Sequence, residues 1–123
     1  MSDRPTVPQI RARKVRDGAE PLVMVTAYDA PSARIADAGG VDLILVGDSL
    51  AMVALGYDDT LTVTIDDMAH HTAAVARAKP GALIVGDLPW IEIGTEIGAG
   101  IGRRIDVERQ ALAEAELKVC RVV

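Results

Sequence analysis

Two acids share one setting in this chain. "VDLILVGDS" (41–49) runs apolar as far as Val46 and then turns to Gly47, Asp48 and Ser49; "ALIVGDLP" (82–89) does the same and turns to Gly86 and Asp87. Two carboxylates held close together repel unless a proton or a cation lies between them. Mg²⁺ suits such a pair: it is a hard cation held by one or two carboxylates, with waters and substrate oxygens completing the octahedron. Gly47 and Gly86 would let a ligand or metal approach the backbone closely. A single acid at a strand end often serves only to cap the helix or turn that follows. The same Gly-Asp context at two strand ends is what favours a shared site.

The two acids can meet only if their apolar runs are parallel strands with their carboxyl ends together. Three stretches read as strands: "PLVMVTA" (21–27), "VDLILVG" (41–47) and "ALIVGD" (82–87). They are near-continuous apolar runs without alternation, which predicts burial on both faces. Asp29 is placed to cap a helix over Ala30–Ala38, with Pro31 tolerated in its first turn and Gly39-Gly40 as its stop. Residues 48–62 predict a loop. Thr64, with Asp67 three residues on, has the form of a capping box. Behind it Ile65, Met68, Ala69, Thr72, Val75 and Ala76 share one helical face until Pro80-Gly81 breaks the helix. A short basic helix is predicted from Val7 to Arg16, stopped at Gly18 and preceded by a loose arm over 1–7.

Strand, helix, strand, helix, strand is the pattern of an α/β protein with a parallel sheet and right-handed crossovers. A (β/α) barrel and a doubly wound sheet both fit, and in both the ligand sits just beyond the carboxyl ends of the strands. Neighbouring strands lie roughly 5 Å apart, or about 10 Å with one strand between them. Asp48 and Asp87 are therefore expected to face each other across a few ångströms.

Composition narrows the function classes. Half of the 123 residues are hydrophobic and a quarter are charged, with no Phe, one Trp and two Tyr, so the core must be aliphatic. A net charge of −5 argues against a nucleic-acid partner. No apolar run approaches the ~20 residues of a membrane span, the N-terminus has no apolar signal core, and the lone Cys120 has no internal disulfide partner. These features predict a cytoplasmic protein.

In order and spacing, "TAYD", "LVGDSLAMV", "LGYDDTL", "MAHHTAAV" and "DLPW" within residues 24–90 resemble the ketopantoate (3-methyl-2-oxobutanoate) hydroxymethyltransferase family. The resemblance implies a (β/α)8 barrel of the TIM type in a large homo-oligomer, often a decamer. It implies Mg²⁺, 3-methyl-2-oxobutanoate as substrate, and 5,10-methylenetetrahydrofolate as the one-carbon donor in pantothenate biosynthesis. By the family's motifs Asp48 would bind both metal and substrate, Ser49 would bind the 2-oxo acid, and Asp87 would be the second metal contact and would also touch substrate. A cation shared by the keto and carboxylate oxygens would polarise the carbonyl and make the C3 proton removable.

After Trp90 the sequence departs from that pattern. The family's Lys-Leu-Glu-Gly-Gly strand end is absent, and so is the glutamate that serves as its catalytic base; no catalytic residue is assigned. Lys118 sits in the wrong context and reads as a helix-surface lysine, within a helix-forming stretch 105–123. The Gly94–Gly102 run lacks the spacing of a dinucleotide fingerprint. The expectation is one domain over 1–123: the first three βα units of an incomplete barrel, followed by a divergent tail over 91–123 that ends in a helix. A truncated gene, a frame-shifted gene or a divergent short homologue would each give that pattern.

Two other functions fit the residues. One is an Mg²⁺-dependent carbon–carbon lyase for 2-oxo acids, of the phosphoenolpyruvate-mutase and isocitrate-lyase kind. The other is an inactive fragment whose sheet edge seeks a partner. "LGYDDTL" favours the transferase. His70 and His71, adjacent on a helix, point about 100° apart and cannot chelate one ion together; packing or surface roles are expected. Tyr28 is placed to line the mouth of the site.

Overall fold

A computed structural model describes residues 4–13 and 20–89. The expected tail over 91–123, with Lys118, Cys120 and the Gly94–Gly102 run, lies outside the described residues, as do Trp90 and residues 14–19.

Seven elements follow in chain order: α1 (Val7–Ala12), β1 (Met24–Thr26), α2 (Ala30–Ala38), β2 (Leu43–Val46), α3 (Leu50–Val53), α4 (Ile65–Arg77) and β3 (Leu83–Gly86). The strands form one parallel sheet in the order β1-β2-β3. Met24 stands opposite Leu43, which stands opposite Leu83, and Val46 pairs with Gly86. This is the α/β architecture that the strand–helix order predicts, and the sheet is three strands of what a closed barrel needs.

Each main helix starts where its cap dictates. The Asp29 carboxylate accepts the Ser32 N–H at 2.8 Å, with Pro31 in the first turn. Thr64 and Asp67 form the reciprocal box expected of them. A third box, Thr6 with Gln9, starts α1. Gly40 takes φ +73 just past α2, the left-handed position in which a Cβ is penalised.

Strand alternation sorts the core into two layers. Ile44, Val46 and Ile84 pack with the inward faces of α2 and α4, among them Ala33, Ala36, Met68 and Val75. Leu43, Leu83 and Val85 point the other way, toward Val7 and Ile10 of α1. Gly86 takes the helix-side position where a side chain would press on Thr72 Oγ1, 3.3 Å from an added Cβ. The small residue lets α4 lie close.

The bonds that hold α1 are at the amino-terminal ends of the strands. Arg4 Nε donates to the Pro80 carbonyl at 2.7 Å. Arg13 pairs with Asp42, whose carboxylate also accepts the Val23 N–H at 2.9 Å. That amide, with the guanidinium second, holds the Asp42 carboxyl below the usual carboxylate range. The helix closes one end of the sheet and leaves the carboxyl end for the site.

Three local expectations are corrected. Residues 4–7 are tied down by Arg4 and the Thr6 cap rather than loose. The stretch 48–62 contains a helical turn, α3, because Leu50 and Ala51 are drawn fully into the core. Finally, β2 and β3 are buried on both faces, but Met24 and Val25 of β1 are 46% and 40% exposed. The first strand has only one neighbour among the described residues, so its apolar run is not covered there.

Candidate functional site

Register decides which side chains meet. Asp87 follows Gly86, and its N–H continues the ladder by donating to the Val46 carbonyl at 3.0 Å. This places Asp87 beside Gly47 and one step from Asp48. The Asp48 N–H then donates to Asp87 Oδ2 at 3.1 Å across 39 residues of sequence. On the other side, Ala27 N–H donates to the Leu45 carbonyl at 3.0 Å, which brings Tyr28 level with the same strand ends. Tyr28 OH lies 2.8 Å from Ser49 Oγ. Asp48, Ser49 and Asp87, the three residues singled out in the sequence, are therefore together at the carboxyl end of the sheet, all half-buried.

Gly47 is crowded by this arrangement. A Cβ there would lie 3.2 Å from Ser49 Oγ and 3.5 Å from Asp87 Oδ2. The position stays glycine because two polar side chains fold over it.

Burial pushes the Asp48 carboxyl up from its ordinary value, and the neighbouring Asp87 carboxylate adds to the rise; a hydrogen bond from the Ser49 backbone pulls it back in part. A pair of acids in mutual repulsion gains from a cation. The donors are carboxylate oxygens with a hydroxyl beside them, which suits a hard cation rather than a soft one. No cluster of three or more His, Cys, Asp or Glu side chains forms among the described residues. Two carboxylates with open positions left for water and substrate oxygens is the pattern Mg²⁺ accepts, so the residues fit that ion.

His71 and Tyr28 are the participants that sequence reasoning did not join. His71 Nδ1 is 2.8 Å from the Tyr28 carbonyl, 43 residues away. Its ring meets that of His70 edge to face, with centroids 5.6 Å apart. Neither bond has a local signature: the His71–Tyr28 bond depends on α4 meeting the end of β1, and the Tyr28–Ser49 bond on β1 and β2 lying side by side.

A family model described as ketopantoate hydroxymethyltransferase matches residues 4–115, so the match runs past Trp90 into the stretch expected to diverge. The 3-methyl-2-oxobutanoate hydroxymethyltransferase of Moorella thermoacetica is 55% identical over 94 residues, covering 76% of this chain and 34% of the relative. The enzyme of the same name from Natronomonas pharaonis is 48% identical over 113 residues, covering 90% of this chain and 42% of the relative. This chain thus spans less than half the length of these relatives. Among solved structures, 2,3-dimethylmalate lyase, a PEP mutase/isocitrate lyase superfamily member, aligns with 62% of this chain and 28% of its own, at TM-score 0.45 and 22% identity.

Proposed function

We propose, since this chain belongs to the ketopantoate hydroxymethyltransferase family, that its described residues form the metal and 2-oxo acid half of a hydroxymethyl-transfer site. The reaction on this reading moves a one-carbon unit from 5,10-methylenetetrahydrofolate to 3-methyl-2-oxobutanoate. The observation that carries the reading is Asp87 Oδ2 on the Asp48 N–H, which holds two repelling carboxylates beside one hydroxyl.

On this reading Asp48 and Asp87 hold Mg²⁺, and Ser49 hydrogen-bonds the 2-oxo acid. When bound, the ion supplies Lewis-acid polarisation of the keto group. The chain's own part is to orient: α3 sets Ser49, β3 sets Asp87, and the ladder bond between β2 and β3 fixes the spacing. Orientation of this kind is worth orders of magnitude to a two-substrate reaction. Proton removal from C3 needs a positioned base, typically worth about 10²–10⁴-fold, and none of the described residues at this strand end is free for it once both acids hold the ion. A homo-oligomer, decameric by the resemblance, and a cytoplasmic setting belong to the same reading. The family's name and the "LGYDDTL" segment favour transfer over the lyase alternative.

The test is calorimetric titration of 3-methyl-2-oxobutanoate into the purified 123-residue chain, with and without Mg²⁺. Weak binding that requires Mg²⁺ and disappears in Asp48→Ala is expected. The same chain, given Mg²⁺ and methylenetetrahydrofolate, is expected to form no ketopantoate above the no-protein control. Binding that ignores both Mg²⁺ and Asp48→Ala would sink the site assignment. Turnover lost in Asp48→Ala would show that residues 90–123 supply the base.

A further inference from the structure

We propose that Tyr28 is a positioning residue for Ser49: its phenol donates to Ser49 Oγ and so aims the serine proton at an anionic oxygen of the bound ligand. The role rests on the 2-oxo acid reading of the Asp48–Asp87 site.

Ser49 stands at the N-cap of α3, where a serine normally turns its oxygen back onto the N–H groups of the first turn. It does not: its backbone is helical, φ −57 and ψ −12, and its side chain makes no capping bond. The hydroxyl goes instead to Tyr28 OH, 2.8 Å away and 21 residues back in sequence. A residue type suited to capping has been diverted to a long-range partner.

Tyr28 is anchored on three sides. The residue before it is in the β1–β2 ladder through Ala27. Its own carbonyl lies 2.8 Å from His71 Nδ1 on α4; a carbonyl only accepts, so Nδ1 carries the proton. Its ring packs against the core between sheet and helices. The phenol oxygen is therefore placed by sheet, helix and core together, and it can place Ser49 in turn.

Proton counting gives the direction. Both hydroxyls can donate or accept. A carboxylate or keto oxygen of a 2-oxo acid only accepts, so Ser49 must give its single proton to the ligand. It is then left with lone pairs, and Tyr28 must be the donor to it. Without the phenol hydroxyl, Ser49 Oγ is released to its other staggered rotamers. Hydrogen bonds in a row also polarise one another, which strengthens the outer donor.

The test is a double-mutant cycle on the full chain, read by Mg²⁺-dependent affinity for 3-methyl-2-oxobutanoate. Tyr28→Phe keeps the ring and removes the hydroxyl. It should weaken binding by roughly three- to tenfold, the size of one hydrogen bond. Ser49→Ala should weaken it at least as much, and Tyr28→Phe should add nothing in the Ser49→Ala background. A merely structural tyrosine would give the same loss in both backgrounds. Should Tyr28→Phe not fold, Tyr57→Phe leaves Tyr28 as the sole tyrosine, and 3-fluorotyrosine incorporation makes it a stronger donor. Binding should then tighten when Ser49 is present and stay unchanged in the Ser49→Ala background. Additive losses, or affinity indifferent to both changes at Tyr28, would overturn the positioning role while leaving the site reading intact. Absence of any Mg²⁺-dependent binding by the unmodified chain would overturn the site reading and the role of Tyr28 with it.

Discussion

Asp48 shows what the proposed binding site asks of a single residue. Its carboxyl is raised by burial first and by Asp87 second. A carboxyl whose folded value lies above its unfolded one favours folding most when protonated. Stability therefore falls as pH rises from the ordinary value of 3.8 through the raised one, and stays lower above it. At neutral pH and without metal, Asp48→Asn is expected to unfold at a higher temperature than the unmodified chain. The gain should vanish below pH 3.8, and thermal scans across pH read it directly. The same variant should lose Mg²⁺-dependent ligand binding, because an amide cannot supply the charge. An unchanged melting temperature at neutral pH would mean that neither burial nor Asp87 opposes the Asp48 charge in solution.

At the scale of elements, α4 supports the site from behind. It carries His71 to the Tyr28 carbonyl, and it packs Met68, Val75 and Ala76 against the sheet. Its start is fixed by Thr64, whose hydroxyl accepts the Asp67 N–H at 3.1 Å. Removing an N-cap costs about 1 kcal/mol, or roughly 4 °C in a domain of this size. Thr64→Ala is expected to lower the melting temperature by that much, and Thr64→Ser to restore most of it. No loss in Thr64→Ala would mean that packing alone fixes where α4 begins. The element that sequence patterning missed, α3, has no such cap. Its four residues are too few for a period, and it exists because Leu50 and Ala51 fill a space in the core shared with the sheet and α4.

At the scale of the molecule, the sheet formed by the described residues presents an edge. Val23, Met24 and Val25 are 49%, 46% and 40% exposed, and β1 pairs only with β2 among the described residues. Ile35 and Val53, at 75% and 72%, add apolar surface on the helices. Unpaired edges and exposed apolar patches favour association. The 123-residue chain is expected to sediment as oligomers whose mass grows with concentration, and Val25→Lys on the edge strand should shift it toward monomer. A concentration-independent monomer would show that this edge and these side chains are covered within one chain.

Features with local causes were legible before any fold was known. Apolar runs made strands, Asp29 and Thr64 began helices, Gly39-Gly40 ended one, and two Gly-Asp turns marked the carboxyl end of the sheet; each signal acts within a few residues. Exposure of β1 could not be read that way, since an apolar run is the same whether or not a neighbour covers it. The tie from Arg4 to Pro80 and the short α3 likewise depend on what lies across the fold. The site divides along the same line. Its acids and serine were legible as residue types at strand ends. Only the parallel register brought Asp48 N–H to Asp87 and Tyr28 to Ser49, because those bonds join residues 39 and 21 positions apart and form only when β1, β2 and β3 lie side by side.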